Sequence, residues 1–586
     1  MAKQYIDYMK EISKDELYEG LLGYGLFCDK LPPIFTSESF YLNNKNHKIK
    51  KLKPKEKLRL NNSDYIRYNS IRNTNVPRLI GVPNPFAYLR LCAFLRDNWT
   101  RLVSYFYRKT KNQKYKRSQI HLQKIKNKKH LFELNRNYHD KDQELEFQLC
   151  HLPILKKYQV DADISSCFPS IYSHALSWAY AGKSTAKKHR YDNKFFNQID
   201  QYSRSIKNGE TNGLLIGPHT SNLLSEIILC AVDQKLLSTK KYEYIRHIDD
   251  YTCFVESEDE AEKFILELSN ILKEYELTLN PRKTKISHLP LTSSVDWISE
   301  LRNFYINDLR DNTKKDSKTN NKPFFPFQRL KAYLDLSIRL ANENKNSAIY
   351  SYAIKVIADH RLGEKSLSYY LATVHQLVCL YPYLVHWLDR YIFDEFNTPK
   401  DEIRNIANDL YIVGKNKNNY EACVYAIYWH LKCGIEADFQ AKYNHNYTKD
   451  AIRSGDCIFL IMAMLLANCR NDHDSTTKLK DHATKLAKNN FYQYWLFIYE
   501  ILSANEMKQI LIKNCTTLIQ KNSSGQNSKN ITTNQKTNLN NQNSSQNPET
   551  DDYQNFISLK IKGISFIKND LPFLSNTINS KSHIEK

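Results

Sequence analysis

Residues 244–254 read YIRHIDDYTCF, with two adjacent acids, Asp249 and Asp250, inside an otherwise apolar, strand-like run. A carboxylate taken out of water is costly unless it is paired or bound to metal. Side chains alternate across a strand, so a regular strand cannot aim both acids at one point. Either the chain turns tightly at the pair, or one acid acts and its neighbour stands behind it. The expectation is a turn, with unequal roles for the two. A lone Asp-Asp pair is more often a turn or a helix cap than a functional site. The stretch VDADISSCFPSIYSH, beginning at Val160, changes that balance, because Asp163 ends a strand-like run and leads into aromatic residues. Three acids, one distant and two adjacent, suit a phosphoryl-transfer site for two divalent cations. Mg²⁺, with Mn²⁺ as the alternative, takes oxygen ligands. A pair of such ions stabilises the attacking and leaving oxygens of an in-line displacement.

The rest of the chain fits a large protein with an anionic partner. Its 586 residues, 41% of them hydrophobic, can bury a sizeable core, and a prior of roughly 150 residues per domain gives several units. The net charge of +22 favours nucleic acid, although a lysine-rich composition produces the same bias by itself. Twelve scattered cysteines with no C-x-x-C pair, among them Cys230, Cys379 and Cys457, read as buried thiols of a reducing cytosol. The N-terminal residues are too polar for a signal peptide. The most apolar run, CIFLIMAMLLANC from Cys457, is short of the roughly 20 residues a bilayer requires. The expectation is a cytoplasmic protein with no membrane segment.

Along the chain, Ser13 and Glu16 form a capping-box pattern ahead of LYEGLLGYGLF. Two basic stretches, KNHKIKKLKPKEKLRL and RKTKNQKYKRSQIHLQKIKNKKH, read alone as solvated faces or, beside the acids, as a phosphate-tracking groove. From about 158 to 290, short strands alternate with helices. Beyond a polar linker, apolar residues recur at helical spacing: Leu330, Leu334, Ile338 and Ala341, then Ile349, Ala353, Val356 and Ile357. An Asn/Gln/Ser-rich tract follows and reads as disordered. The division expected is 1–150 N-terminal extension and fingers, 151–300 palm, 301–325 linker, 326–518 helical domain, 519–552 low-complexity segment and 553–586 tail. A GKS at 182–184 lacks the first glycine of a phosphate-binding loop and is rejected as one.

The motifs together resemble those of reverse transcriptases. Asp163 with Phe168 resembles motif A, TNGLLIGPHTSNLLSEIIL motif B, IRHIDDYTCF motif C and LTLNPRKTKIS motif D, with Asn280 and Lys283. PRLIGVPNP resembles the fingers segment that carries an arginine, here Arg78. The order is the family's, over roughly the first half of the chain. YSHALSWAYAGKSTAKKHR and the Gly217-Pro218-x-Thr220-Ser221 form of motif B are similar to the AbiK-like abortive-infection and defence-associated reverse transcriptases of bacteria. The resemblance implies an α+β right-hand polymerase of fingers and palm, followed by an all-α C-terminal helical domain. It implies Asp163, Asp249 and Asp250 as catalytic metal ligands for Mg²⁺. It implies Arg78 on the triphosphate, Phe168 under the sugar as a block to a 2′-hydroxyl, Gly217 and Pro218 under the nascent base pair, and Lys283 at the leaving group. The implied partners are dNTPs, an RNA template or a dedicated non-coding RNA, a DNA product and further copies of the chain. Protein priming and phage defence are implied as well. The alternatives are an RNA polymerase of the same palm fold and a catalytically silent nucleic-acid-binding scaffold. One position departs from the family pattern: His247 stands where a tyrosine is usual.

Overall fold

The computed structural model describes residues 5–49, 58–74, 76–111, 118–119, 131, 151–239, 242–291, 296–304, 322–435, 446–512 and 548–568. The expected disordered tract at 519–552 lies outside the described residues as far as 547, but its last residues, 548–552, instead begin the helix Pro548–Ile561; most of the linker, half of the first basic stretch and most of the second also lie outside the described residues.

The alternation read between 158 and 290 supplies four strands of one five-stranded sheet. Its order is β3 (Ser118–Gln119), β5 (Glu243–His247), β6 (Asp250–Val255), β4 (Tyr158–Asp163) and β7 (Lys285–His288). β4 runs antiparallel to β6 and β7, and β5 antiparallel to β6. Alternation explains the burial of β4, where Val160 and Ala162 are both buried. Two helices support the sheet. His219–Ser238 is apolar on most faces and mostly buried. Glu258–Lys273 starts at Ser257, whose hydroxyl accepts from the amide of Glu260 at 3.2 Å. Glu258, Asp259 and Glu260 in its first turn complement the helix dipole.

The capping box at Ser13 is present, with both reciprocal hydrogen bonds, but the helix is Lys14–Leu22 and stops short of the expected Phe27. Gly23 follows it, and the Ser37 hydroxyl donates to the freed carbonyl of Leu22 at 2.7 Å. A tertiary partner for the end carbonyl thus closes a helix that the apolar pattern alone would have continued.

Two compact units form, and each draws on separated parts of the chain. The first comprises Met1–Ile66, Gly81–Leu291 and Ala483–Ile567; the second comprises Arg67–Ile80, Thr292–His482 and Lys568–Lys586. Packing therefore cuts across the chain-order division read from the sequence. In the first unit the helix Pro548–Ile561 returns to the N-terminal helices. There Phe556 meets Phe86 edge-on at 5.0 Å, Phe566 lies 5.5 Å from Phe40, and the Thr36 amide donates to the Phe566 carbonyl at 2.9 Å.

The second unit is built from helices, including Phe327–Glu343, Ala348–Ala358, Glu364–Leu380, Lys400–Asn416, Tyr420–Cys433 and Cys457–Cys469. Leu330, Leu334, Ala341, Ile349, Ala353 and Ile357 are buried as their spacing requires, with Ile338 and Val356 half-buried at the edge of the stripe. Asp456 caps Cys457–Cys469, whose residues from Cys457 to Ala467 are all buried. The most apolar run is a core helix. No helix among the described residues is long and apolar enough to cross a membrane. One departure from an all-α arrangement is a two-residue parallel pair, Phe324–Phe325 (β8) with Arg361–Leu362 (β9). The tip of the hairpin made by β1 (Tyr65–Ser70) and β2 (Arg78–Pro83) is held here, where the Ile71 amide donates to Glu421 at 2.7 Å and the Ser347 hydroxyl to the Asn73 carbonyl at 3.1 Å. Cys230 and Cys457 are buried, whereas Cys379, expected to be buried, is only partly so at the end of its helix.

Candidate active site

The turn expected at the acid pair is there. His247 closes β5, Asp250 opens β6 and pairs with it in register, and Ile248 and Asp249 form the two-residue link between them. Ile248 has φ +51°. A β-branched residue in the left-handed region is strained, and such strain persists only where the surroundings impose it. The turn carries neither glycine nor asparagine, the residues that adopt this conformation cheaply.

The turn delivers its acids to Asp163. Asp163, at the end of β4, lies opposite Asp250 in the β4/β6 ladder. Oxygens of Asp163, Asp249 and Asp250 all fall within 4.8 Å of one another. Asp163 is buried, Asp249 partly buried and Asp250 exposed. The backbone joins them too, because the Ile164 amide donates to the Asp249 carbonyl at 3.1 Å.

The motif D loop supplies the other contacts of Asp163. The Asn280 side-chain amide donates to one carboxylate oxygen at 3.0 Å, and the Lys283 ammonium lies 3.2 Å from the other. The Asn280 backbone amide donates to the Asp163 carbonyl at 2.7 Å. Crowding shows in Asp250: partial burial of its carboxyl, a hydrogen bond with Asp163 and the negative charge of Asp249 push it up to about 7, with Lys283 opposing. Three carboxylates this close repel unless a cation or a proton intervenes. The donor set is oxygen only and partly open to solvent, which fits a hard divalent cation such as Mg²⁺ or Mn²⁺ that keeps some of its waters.

A buried ionic group lies beneath the turn. Arg246 is fully enclosed, and its guanidinium grips Glu226 with two hydrogen bonds of 2.8 and 3.1 Å. It also meets Asp233, itself fully enclosed, at 2.8–2.9 Å and donates to the carbonyl of Ile248 at 2.8 Å. Burial disfavours its charge, but Asp233 and Glu226 outweigh that and hold it firmly protonated. The hydroxyls of Tyr244 and Tyr251 also reach Asp233. These five polar residues were not singled out from the sequence. The signal was an arginine within the quoted apolar strand, with two acids seven residues apart on one helix and therefore on the same face.

Motifs A and B meet through the backbone. The Leu214 amide donates to the Phe168 carbonyl and the Gly213 amide to the Ile171 carbonyl, both at 2.8 Å. Phe168 is half-buried in the short helix Cys167–Ser170. Gly217 has φ +125°, a conformation that only glycine adopts readily, and Pro218 stands at the N-cap of His219–Ser238. Arg78 begins β2, exposed and counted with the second unit; farther along the same strand, the Gly81 amide donates to the Ile216 carbonyl at 2.8 Å. The structure thus gathers Asp163, Asp249, Asp250 and Lys283 at one point and joins Phe168 to the loop before Gly217 and Pro218. It places Arg78 on a strand whose later residues touch that loop.

Residues 97–323 match the family described as reverse transcriptase (RNA-dependent DNA polymerase). These residues are similar to a reverse transcriptase domain. Such a domain is a nucleotidyltransferase enzyme and uses divalent metal ions, and Asp163, Asp249, Asp250, Phe168, Gly217, Pro218 and Lys283 all fall inside the matched residues. No curated protein matches the chain. Among solved structures, it is similar to apo telomerase from Candida tropicalis truncated from the C-terminal domain, with 15% identity, 44% of this chain covered and a TM-score of 0.26. It spans just over half, 55%, of the length of that relative. Apo telomerase from Candida tropicalis matches at 12% identity over 67% of this chain and 68% of its own, with a TM-score of 0.27. Telomerase from Candida albicans in complex with a fragment of telomeric RNA matches at 11% over 79% and 69%, with a TM-score of 0.28. Likenesses this slight carry no functional argument.

Proposed function

We propose that the chain synthesises DNA from dNTPs on an RNA template, at Asp163, Asp249 and Asp250. One observation supports this most: three carboxylates from β4 and the β5–β6 turn converge within 4.8 Å inside the segment that matches the reverse transcriptase family. Bound there, two Mg²⁺ ions would supply charge neutralisation at the attacking and leaving oxygens. The chain's own residues do the rest. Asn280 and Lys283 orient Asp163, and Lys283 is released toward the leaving pyrophosphate once Asp163 has another counter-charge. Phe168 bears on the sugar and disfavours a 2′-hydroxyl. Gly217 and Pro218 shape the backbone under the nascent pair, and Arg78 clasps triphosphate oxygens with its planar fork.

The finer reading is an antiphage reverse transcriptase of the AbiK-like group, cytoplasmic and oligomeric, with fingers and palm followed by a helical domain. It rests on the stretch from Tyr172 to Arg190 and on the Gly-Pro-x-Thr-Ser loop. Priming from a tyrosine hydroxyl and use of a dedicated non-coding RNA belong to the same reading.

The test is incorporation by the purified chain with Mg²⁺, given dNTPs or NTPs, and sequencing of any product with a check for covalent attachment. DNA made from dNTPs alone is expected, and Phe168→Ala is expected to admit NTPs. Equal use of NTPs by the unaltered chain would move the reading to an RNA polymerase of the same fold. Incorporation of neither would leave a silent nucleic-acid-binding scaffold.

A further inference from the structure

We infer that Arg246 is a positioning residue for the cation site: it holds the strained Ile248 turn in the conformation that presents Asp249 and Asp250 to Asp163. The inference rests on the reading of those acids as metal ligands.

Three observations carry it. Ile248 sits at φ +51°, a conformation that strains a β-branched residue and persists only where the surroundings impose it. The carbonyl of that residue accepts a hydrogen bond from Arg246 at 2.8 Å. Arg246 itself is immobile, because Glu226 takes its outer edge in a two-bond fork and Asp233 takes its inner nitrogens. Both acids belong to the helix His219–Ser238, which begins at the Gly217-Pro218 loop. The turn is thereby anchored to the helix that follows motif B rather than left to its own preference.

The chemistry explains why an arginine is needed. Five donors spread over a fixed plane serve two carboxylates and a carbonyl at once, whereas the three donors of a lysine sit on one nitrogen, which cannot reach all three acceptors where the guanidinium meets them. Glu226 and Asp233 already neutralise the guanidinium, so its effect on the acid cluster is geometric. The two turn residues are what separates His247 from Asp250, so a small rotation at Ile248 moves the Asp249 carboxylate away from the other two.

The test uses the full-length chain stripped of metal, with Mn²⁺ binding followed by electron paramagnetic resonance and calorimetry. Thermal unfolding and the Mg²⁺ dependence of DNA synthesis are measured alongside. Arg246→Lys is expected to weaken Mn²⁺ binding about tenfold. The Mg²⁺ concentration for half-maximal rate should rise by the same factor, with the KM for dNTP little changed. Ile248→Gly, which adopts a positive φ without strain, is expected to restore most of the affinity when added to Arg246→Lys. If Arg246→Lys fails to fold, Glu226→Gln, which loosens the same guanidinium, carries the same expectation and the same rescue. Wild-type Mn²⁺ affinity in the folded Arg246→Lys chain would overturn the inference, as would a folded double variant with no recovery. Asp163→Ala separates the two levels. If it leaves Mn²⁺ binding intact, the reading of the acids as a metal site fails. If it abolishes binding while Arg246→Lys does not weaken it, only the positioning role fails.

Discussion

The turn at Ile248–Asp249 and the helix Cys457–Cys469 are built on opposite principles. The helix is apolar from Cys457 to Ala467, capped by an ordinary Asp456, and buried along that whole length. Its local preference and its burial agree. The turn places a β-branched residue at positive φ, crowds three carboxylates within 4.8 Å and sets an enclosed arginine beneath them. Local preference is overruled there at each step, and the cost is offset by hydrogen bonds from neighbouring elements. Consistency across levels marks the scaffold, and its local violation marks the site.

That contrast breaks most visibly under substitution. Asp163→Asn is expected to lower DNA synthesis more than about a thousandfold, equivalent to about 4 kcal/mol of barrier. The unfolding midpoint should stay the same or rise, because a crowded charge is removed. Steady-state incorporation together with a thermal melt would check both. Leu460→Ala in the buried helix is expected to do the reverse. It should cost about 2–5 kcal/mol of stability through the cavity it leaves, read from denaturant unfolding, while the folded fraction retains its specific activity. A thermally unaltered Leu460→Ala chain would show that the helix is less tightly packed than its burial indicates.

Smaller effects sharpen the comparison. Burial pushes the Asp456 carboxyl up to about 6, even though the Phe459 amide donates to it. An acid whose folded value is raised takes up protons more readily when folded. Folding therefore disfavours its charged form, a penalty fully present above about 6 that fades as pH falls from there toward the ordinary 3.8. Asp456→Asn keeps an N-cap oxygen and removes the charge. The variant is expected to gain on the wild type at pH 7.5, with the advantage shrinking below about pH 6 and gone only near pH 4, as paired melts would show. The smallest expected change is Ser13→Ala, which removes one half of a capping box and should cost about 1 kcal/mol.

Much of this was legible in the sequence because it depends on near neighbours. The acid pair, the need for a turn, Asp163 at a strand end, the capping box and the helical stripe from Leu330 to Ile357 all follow from local spacing. The turn's two residues, Ile and Asp, give no turn signal of their own; only the argument that two adjacent acids cannot share a face pointed to it. The grip of Arg246 on Glu226 and Asp233 was not legible, since it joins a strand to a helix that precedes it. The return of Phe556 and Phe566 to Phe86 and Phe40 was hidden for the same reason. Asn280 was visible as part of motif D, but not as the donor that fixes the Asp163 carboxylate. His247, where the family usually has tyrosine, is half-buried opposite Asp250, and nothing in the structure explains the exchange.

The most direct test of the central claim is DNA synthesis by the chain carrying both Asp249→Ala and Asp250→Ala, with Mg²⁺ and dNTPs, beside a thermal melt of the same preparation. Complete loss of incorporation in a chain that melts like the wild type is the predicted result. Undiminished synthesis by the folded double variant would contradict the assignment of these acids as the catalytic centre.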